Sequence, residues 1–247
     1  IIMKKYIIGG NFKCNGNLES IKEIINNLNN TKIKENIDLF IAPSFVHLYY
    51  TKTLLKNKNI KLAAQNCSLN DNGSFTGEVS IEMLKDIGVE YIILGHSDRR
   101  KMGESDQLIA KKVKKVLKNN LKVIFCIGEN HKEKKNKKTF NVLKKQIKKA
   151  LDKKFDIKNI IVAYEPIWSI GTGKLPTKDE LEKTTIYIKK VLKNIFKKNS
   201  PAVLYGGSVD GSNVKIFKEI KEIDGFLIGG ASKSSKKFID IIKNYYR

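Results

Sequence analysis

Eight short aliphatic runs recur along this chain at nearly even spacing. They are Tyr6 to Gly9, Leu39 to Ala42, Ile60 to Ala64, Tyr91 to Leu94, Lys122 to Cys126, Ile160 to Ala163, Ala202 to Tyr205 and Gly225 to Ile228. Each is rich in isoleucine, valine or leucine, the composition of a parallel strand buried on both faces. Helical patterns fall between them, including Leu18 to Leu28, Asp106 to Leu117, Asp179 to Phe196 and Val214 to Ile220. The runs start about 31 residues apart on average, the size of one βαβ unit. Eight such units without a linker predict an α/β fold: eight parallel strands closed into a (β/α)8 barrel inside an outer ring of helices, with residues 1–247 as a single domain. The competing open, doubly wound sheet normally carries G-x-G-x-x-G after its first strand, and "IIGGNFKCNG" does not fit that fingerprint.

The net charge is +23 over 247 residues, and arginine occurs only at positions 99, 100 and 247. Specific phosphate or guanine readout favours arginine, so a lysine-only excess argues against a specific nucleic-acid reader. The stretch from His131 to Phe155 explains the lysines more simply. Leu143, Ile147, Ala150 and Leu151 form the apolar stripe of an amphipathic helix, and lysines fill the other face. No apolar run approaches the roughly 18 residues a membrane span requires. Cys14, Cys67 and Cys126 are odd in number and widely spaced, which indicates neither a disulfide framework nor a zinc site and suits a reducing, cytoplasmic setting. The start "IIMKKY" lacks a secretory pattern; Ile1 and Ile2 before Met3 leave open an organellar form with a removed leader.

A barrel of this kind does its chemistry at the C-terminal ends of its strands. Polar or reactive residues stand there: Asn11 and Lys13, Gln65, His96, Glu165, Ser208, and Gly229 with Gly230. Asn11 and Lys13, two apart, would share one side of an extended segment. Glu165 ends a buried run, a setting suited to a general base. After it, Pro166 and Trp168 stiffen one end of a loop, Ile170 makes the tip apolar, and Gly171 and Gly173 loosen the other end, the build of a hinged lid. "GTGK" is not a nucleotide loop, because Trp168 and Leu175 occupy the required glycine and hydroxyl positions. Paired glycines follow the last two runs in "LYGGSV" and "FLIGGAS", where backbone N–H groups can approach a phosphate closely. "QNCSLNDNGSFTGEVS" (65–80) is a long connection with neither helical nor strand periodicity, and Phe75 near its tip points to docking against a partner.

"LGHSDRRKMGE" raises the question of whether His96 and Asp98 act as a pair. A triad would need a nucleophile beside the histidine and a metal would need more ligands than this mouth offers, which argues against both and leaves a satisfied core histidine or a strand-end group with another role.

Taken together, "NFKCNG", "GHSDRR", "YEPIWSIGTGK", "YGGSV" and "GFLIGGAS" make the whole chain resemble the triosephosphate isomerase family, in order and at the expected spacing. The resemblance implies a TIM barrel that interconverts dihydroxyacetone phosphate and D-glyceraldehyde 3-phosphate in glycolysis and gluconeogenesis through an enediolate. This family is itself a worked case of acid and base tuning, so the roles that follow are the family's. Glu165 would be the base, His96 the neutral imidazole, and Lys13 and Asn11 the groups that stabilise the enediolate, with Ser97 and Asp98 supporting them. Gly171, Ser208, Gly229 and Gly230 would hold the phosphate. The lid would comprise Pro166, Ile167, Trp168, Ser169, Ile170, Gly171, Thr172, Gly173 and Lys174. The resemblance implies a homodimer with Cys14, Gln65, Phe75, Thr76, Glu78 and Arg99 at its interface. It implies no metal, no organic cofactor, no specific nucleic-acid partner and no membrane partner. Two departures stand out: Asp98 where the family has glutamate, and Ser169 where its lid commonly has alanine. The shorter carboxylate is expected to slow catalysis or loosen the dimer, and the serine to matter little. Two other readings compete: another phosphosugar barrel that shares the phosphate loops, and a basic nucleic-acid-binding protein or an isomerase relative that has lost activity and kept a binding role.

Overall fold

The structure, a computed structural model, describes residues 5–170, 172, 175–197, 199–217 and 219–245. Eight strands run parallel and close on themselves: β1 (Tyr6–Asn11), β2 (Ile37–Ala42), β3 (Ile60–Ala64), β4 (Tyr91–Leu94), β5 (Lys122–Ile127), β6 (Ile160–Tyr164), β7 (Ala202–Tyr205) and β8 (Gly225–Ile228). Strand order follows sequence order, and β8 returns to β1 with Ile8 opposite Phe226. The helices outside are α1 (Leu18–Asn29), α2 (Phe45–Leu54), α3 (Ile81–Asp86), α4 (Ser97–Lys101), α5 (Asp106–Lys118), α6 (His131–Lys135), α7 (Thr139–Ala150), α8 (Lys178–Phe196), α9 (Val214–Phe217) and α10 (Ser235–Tyr245). The expected eight-stranded barrel is what the chain forms.

The continuous apolar runs serve two cores. In β5, Ile124 and Cys126 point into the barrel, while Val123, Phe125 and Ile127 face the helices. In β2, Phe40 and Ala42 point inward and Leu39 and Ile41 outward. Each fully buried aliphatic side chain contributes on the order of 2 kcal/mol, so both faces of every strand are held. Inside, the Phe40 and Tyr91 rings stack at 5.2 Å. Gly9 makes this stack fit, because a Cβ there would overlap the Phe40 ring.

Two helical expectations need correction. The stretch from His131 to Phe155 is not one helix: α6 ends near Asn136, where Lys137 takes a left-handed φ of 55°, and α7 begins at Thr139. Its apolar stripe is nevertheless buried at Leu143, Ile147, Ala150 and Leu151. Of the pattern read from Val214 to Ile220, Val214–Phe217 forms a helix, while Glu219 and Ile220 are not helical.

The connection after β3 contains neither helix nor strand, and residues 70–78 are exposed throughout. Its base is fastened: Ser68 N–H donates to Val79 O at 2.8 Å, and Lys115 Nζ donates to Leu69 O at 2.7 Å. Among the described residues no helix is long and apolar enough to cross a membrane.

Candidate active site

The strand ends enclose a cavity of about 270 Å³. Asn11 and Lys13 reach it from β1, His96 from β4, Glu165 and Ile170 from β6, Gly206, Gly207 and Ser208 from β7, and Leu227, Gly229, Gly230 and Lys233 from β8.

Glu165 stands one residue past β6 and is 2 % exposed. Its Oε1 lies 3.0 Å from His96 Nε2, and its Oε2 accepts from Ser97 N–H at 2.9 Å. Two glycines make room for it. A Cβ on Gly206 would lie 2.9 Å from Glu165 Cγ, and one on Gly128 would overlap the Glu165 carbonyl.

His96 caps α4, and its Nδ1 accepts the Asp98 N–H at 3.0 Å. Burial disfavours an imidazolium; the Glu165 carboxylate favours it and carries the net direction of the His96 pKa upward. The Asp98 amide opposes this charge, since a backbone N–H can only donate and Nδ1 must keep its lone pair. The geometry therefore holds the tautomer with its proton on Nε2, aimed at Glu165.

The loop carrying His96 is fixed by Arg100. Its guanidinium donates to Gly95 O at 2.6 Å and to Cys126 O at 3.0 Å, and pairs with Asp106 at 2.6 Å. One of the two adjacent arginines is thus a brace for the barrel.

Asn11 and Lys13 both face the cavity, but the segment between them is not extended. Lys13 adopts φ 54°, a left-handed conformation uncommon away from glycine and found at functional sites. Asn11 Oδ1 accepts the Lys13 N–H at 3.0 Å, and Gln65 Nε2 donates to Lys13 O at 2.9 Å and to Ala42 O at 2.8 Å. Lys13 Nζ lies 3.0 Å from Asp98 Oδ2, so the shorter carboxylate does reach it. The His96 imidazole and the Lys13 ammonium outweigh burial and hold Asp98 below the ordinary aspartate range.

Ser208 is exposed and lines the cavity with Gly229 and Gly230. Of the lid, Gly171, Gly173 and Lys174 lie outside the described residues, while Thr172 is exposed. The rest is anchored by Trp168, whose Nε1–H donates to Glu129 Oε1 at 2.9 Å while Lys134 Nζ sits 3.3 Å above its ring. Burial raises the Glu129 carboxyl despite this bond and a second from Tyr164. Ser169, in place of alanine, is fully buried and lies beside the Tyr205 hydroxyl at the end of β7. The far end of the lid meets α8 through a capping box between Thr177 and Glu180.

Of the residues expected at an interface, Cys14, Gln65 and Arg99 line one groove. Cys14, Thr76 and Glu78 are exposed, as is Phe75 at 46 %, and Gln65 is half-buried. Arg99 is bound within the chain, donating from Nη2 to Glu104 Oε1 at 2.7 Å. Sequence reading overlooked Arg100, Glu129, Glu104 and Lys233, and it read Gly206 as part of a phosphate loop rather than as space for Glu165. The scarcity of arginine was a usable signal for Arg100; a lysine among 45 carried none. Among the described residues no cluster of three or more His, Cys, Asp or Glu side chains gathers as a metal site.

A closed parallel barrel with a carboxylate, an imidazole and a lysine converging at its C-terminal mouth is the framework of a barrel enzyme. The sequence pattern of the triosephosphate isomerase family matches residues 6–245. A triosephosphate isomerase of Saccharomyces cerevisiae is 42 % identical over 245 residues, covering 98 % of each chain. One from Neurospora crassa is 42 % identical over 243 residues, covering 97 % of this chain and 98 % of its own. A chloroplastic triosephosphate isomerase of Fragaria ananassa is 40 % identical over 242 residues, covering 96 % of this chain and 77 % of its own. The chain belongs to the triosephosphate isomerase family, and it is an isomerase.

Proposed function

We propose that Glu165, His96, Lys13 and Asn11 carry out the family's reaction, the interconversion of dihydroxyacetone phosphate and D-glyceraldehyde 3-phosphate. One observation carries this reading: Glu165 and His96 face each other across 3.0 Å in a pocket that Lys13 also enters. Glu165 takes a proton from the carbon beside the carbonyl. His96 gives its Nε2 proton to the carbonyl oxygen and recovers one from the neighbouring hydroxyl. Glu165 then returns its proton to the other carbon. The Lys13 ammonium and Asn11 amide are fixed before the negative charge develops, so they stabilise the enediolate without reorganising. Ser97 supports the base through its backbone N–H, and Asp98 supports Lys13. Ser208, Gly229 and Gly230, with Gly171 of the lid, bind the phosphate, and the lid from Pro166 to Lys174 excludes water.

We infer further that the chain works as a homodimer. A groove of about 320 Å³ beside Lys13, lined by Cys14, Phe45, Gln65 and Met102, suits the loop bearing Phe75 and Thr76 of a second copy. The exposed Phe75, with Phe45 and Met102 also in water, supports this. Residues 1–247 are read as one domain, supported by a barrel drawn from Tyr6 to Ile228. A cytoplasmic setting is supported by Cys14, Cys67 and Cys126 all being free thiols.

A coupled assay with glyceraldehyde 3-phosphate tests the reading. Turnover reduced about a hundredfold to ten-thousandfold in Glu165→Gln is expected, the usual range for removing a general base. Absence of turnover by the unmodified enzyme at low salt would overturn it.

A further inference from the structure

Among the described residues two lysine side chains line the cavity, Lys13 and Lys233. Lys13 is paired with Asp98 at 3.0 Å. Lys233 is exposed and pairs with no carboxylate among the described residues. It ends the 3-10 turn Gly230–Lys233, which the fully buried Ser232 fastens to the barrel mouth. The Ser232 hydroxyl hydrogen-bonds to Gly229 O at 2.7 Å and Asn11 O at 3.1 Å. The root of Lys233 is therefore held at the same rim as Gly229, Gly230 and Ser208. The space it overlooks is open, since a Cβ on Gly230 would meet nothing within 4 Å. Lys237, farther along, lines a separate groove with Asp210, whose carboxyl is held below its ordinary range chiefly by the Ser212 hydroxyl and backbone N–H groups and in small part by Lys237.

We propose that Lys233 is a substrate-binding and specificity-determining residue, its ammonium pairing with the phosphate group of the triose phosphate. This rests on the triose phosphate reading above. Backbone N–H groups from the glycines fix the position of a phosphate; Lys233 adds formal charge that Lys13, engaged by Asp98, supplies only in part. The phosphate carries the same charge in substrate and transition state, so this contact strengthens both equally and acts on KM rather than kcat. It also favours phosphorylated over unphosphorylated sugars.

The test compares Lys233→Met, Lys233→Glu and Lys233→Arg in the full-length chain, with folding checked by thermal unfolding. KM for glyceraldehyde 3-phosphate and the inhibition constant of inorganic phosphate should each rise about threefold to tenfold in Lys233→Met, the scale of one exposed charge contact. They should rise further in Lys233→Glu and return toward the original values in Lys233→Arg, with kcat within about twofold in each. The difference should narrow as salt is raised. Unchanged KM and phosphate inhibition in a folded Lys233→Met, or a loss confined to kcat, would overturn the proposal. Phosphate affinity can also be followed through the fluorescence of Trp168, the single tryptophan. Lys233 is thereby tested even if the unmodified enzyme shows no turnover, a result that would sink the isomerase reading instead.

Discussion

The backbone N–H of Asp98 donates to His96 Nδ1 across 3.0 Å, and the side chain of the same Asp98 lies 3.0 Å from the Lys13 ammonium. One residue thus holds the histidine with its backbone and the lysine with its carboxylate. The first contact needs only the backbone, although the carboxylate also lies 3.4 Å from Nδ1 and favours a charged ring, and the second depends on the side chain entirely.

Asp98→Ala separates the two. It should leave the His96 tautomer intact, because α4 still presents an N–H to Nδ1, while freeing Lys13. A catalytic cation displaced by about 1 Å costs up to a hundredfold, so kcat/KM should fall between about tenfold and a hundredfold. The 15N resonances of the His96 ring in the unliganded protein should stay those of a neutral Nε2–H imidazole. Changed ring resonances, or an unchanged kcat/KM, would show that the division of labour is wrong. Asp98→Glu, with one more methylene, measures the companion effect: equal kcat, KM and dimer stability would mean that the shorter side chain carries no penalty.

A buried cluster behind the active-site loop makes stability depend on pH. Glu104 Oε1 accepts from Lys112 Nζ at 2.7 Å and from Arg99 Nε and Nη2 at 3.1 and 2.7 Å. Burial alone would raise this carboxyl; Lys112 and Arg99 more than offset it, and its pKa lies below the ordinary 4.5. A depressed acid stabilises the fold above its unfolded value, and the contribution is lost as pH falls through the folded one. Glu104→Gln leaves the buried Lys112 without its anion and should cost about 3 kcal/mol near pH 7, the scale for breaking a buried pair. Urea unfolding at pH 7, 5 and 3.5 should show the gap from the unmodified protein closing below about pH 4.5 as Glu104 itself protonates. A gap independent of pH would mean that Glu104 contributes packing rather than charge.

The barrel was legible in the sequence because both faces of each strand are buried, so every strand reads as an unbroken aliphatic run whatever the loops contain. Strand ends agree within two residues, since β1, β2, β5 and β6 gain only flanking positions that the runs do not need. His96, Glu165, Asn11 and Lys13 were legible because strand ends point at one mouth. Other features were not, for identifiable reasons. Arg100 braces the loop through carbonyls of Gly95 and Cys126, the second 26 residues away, and no local pattern encodes such a contact. The left-handed backbone at Lys13 gives no signal in residue type, because side chains other than glycine seldom adopt it. Lys233 resembles every other lysine until Ser232 is seen to seat its turn against Asn11.

Gly206 offers the sharpest test of how closely the base is placed. It follows β7 directly, and its missing side chain leaves the space that Glu165 Cγ occupies. A Cβ there would lie 2.9 Å from Glu165 Cγ, 3.4 Å from Tyr164 O and 3.6 Å from Glu165 Oε1. The shortest of these contacts is to a flexible side chain rather than to backbone, so the fold can absorb Gly206→Ala by moving the carboxylate. The movement would draw Oε1 away from His96 and Oε2 away from Ser97 N–H, misplacing the one group that must reach the substrate carbon. Gly206→Ala should therefore shift the midpoint of thermal unfolding by only a few degrees, about what a surface-scale change produces. It should lower kcat by about tenfold to a hundredfold, the cost of misplacing a base by a fraction of an ångström to an ångström. Phosphate inhibition should change less than kcat, since the nearest contacts of a Cβ on Gly206 are to Glu165 and Tyr164 rather than to Ser208, Gly229 or Gly230. Full kcat in the Gly206→Ala enzyme would mean that Glu165 has slack in its seat, and that its bonds to His96 and Ser97 do not set where it acts.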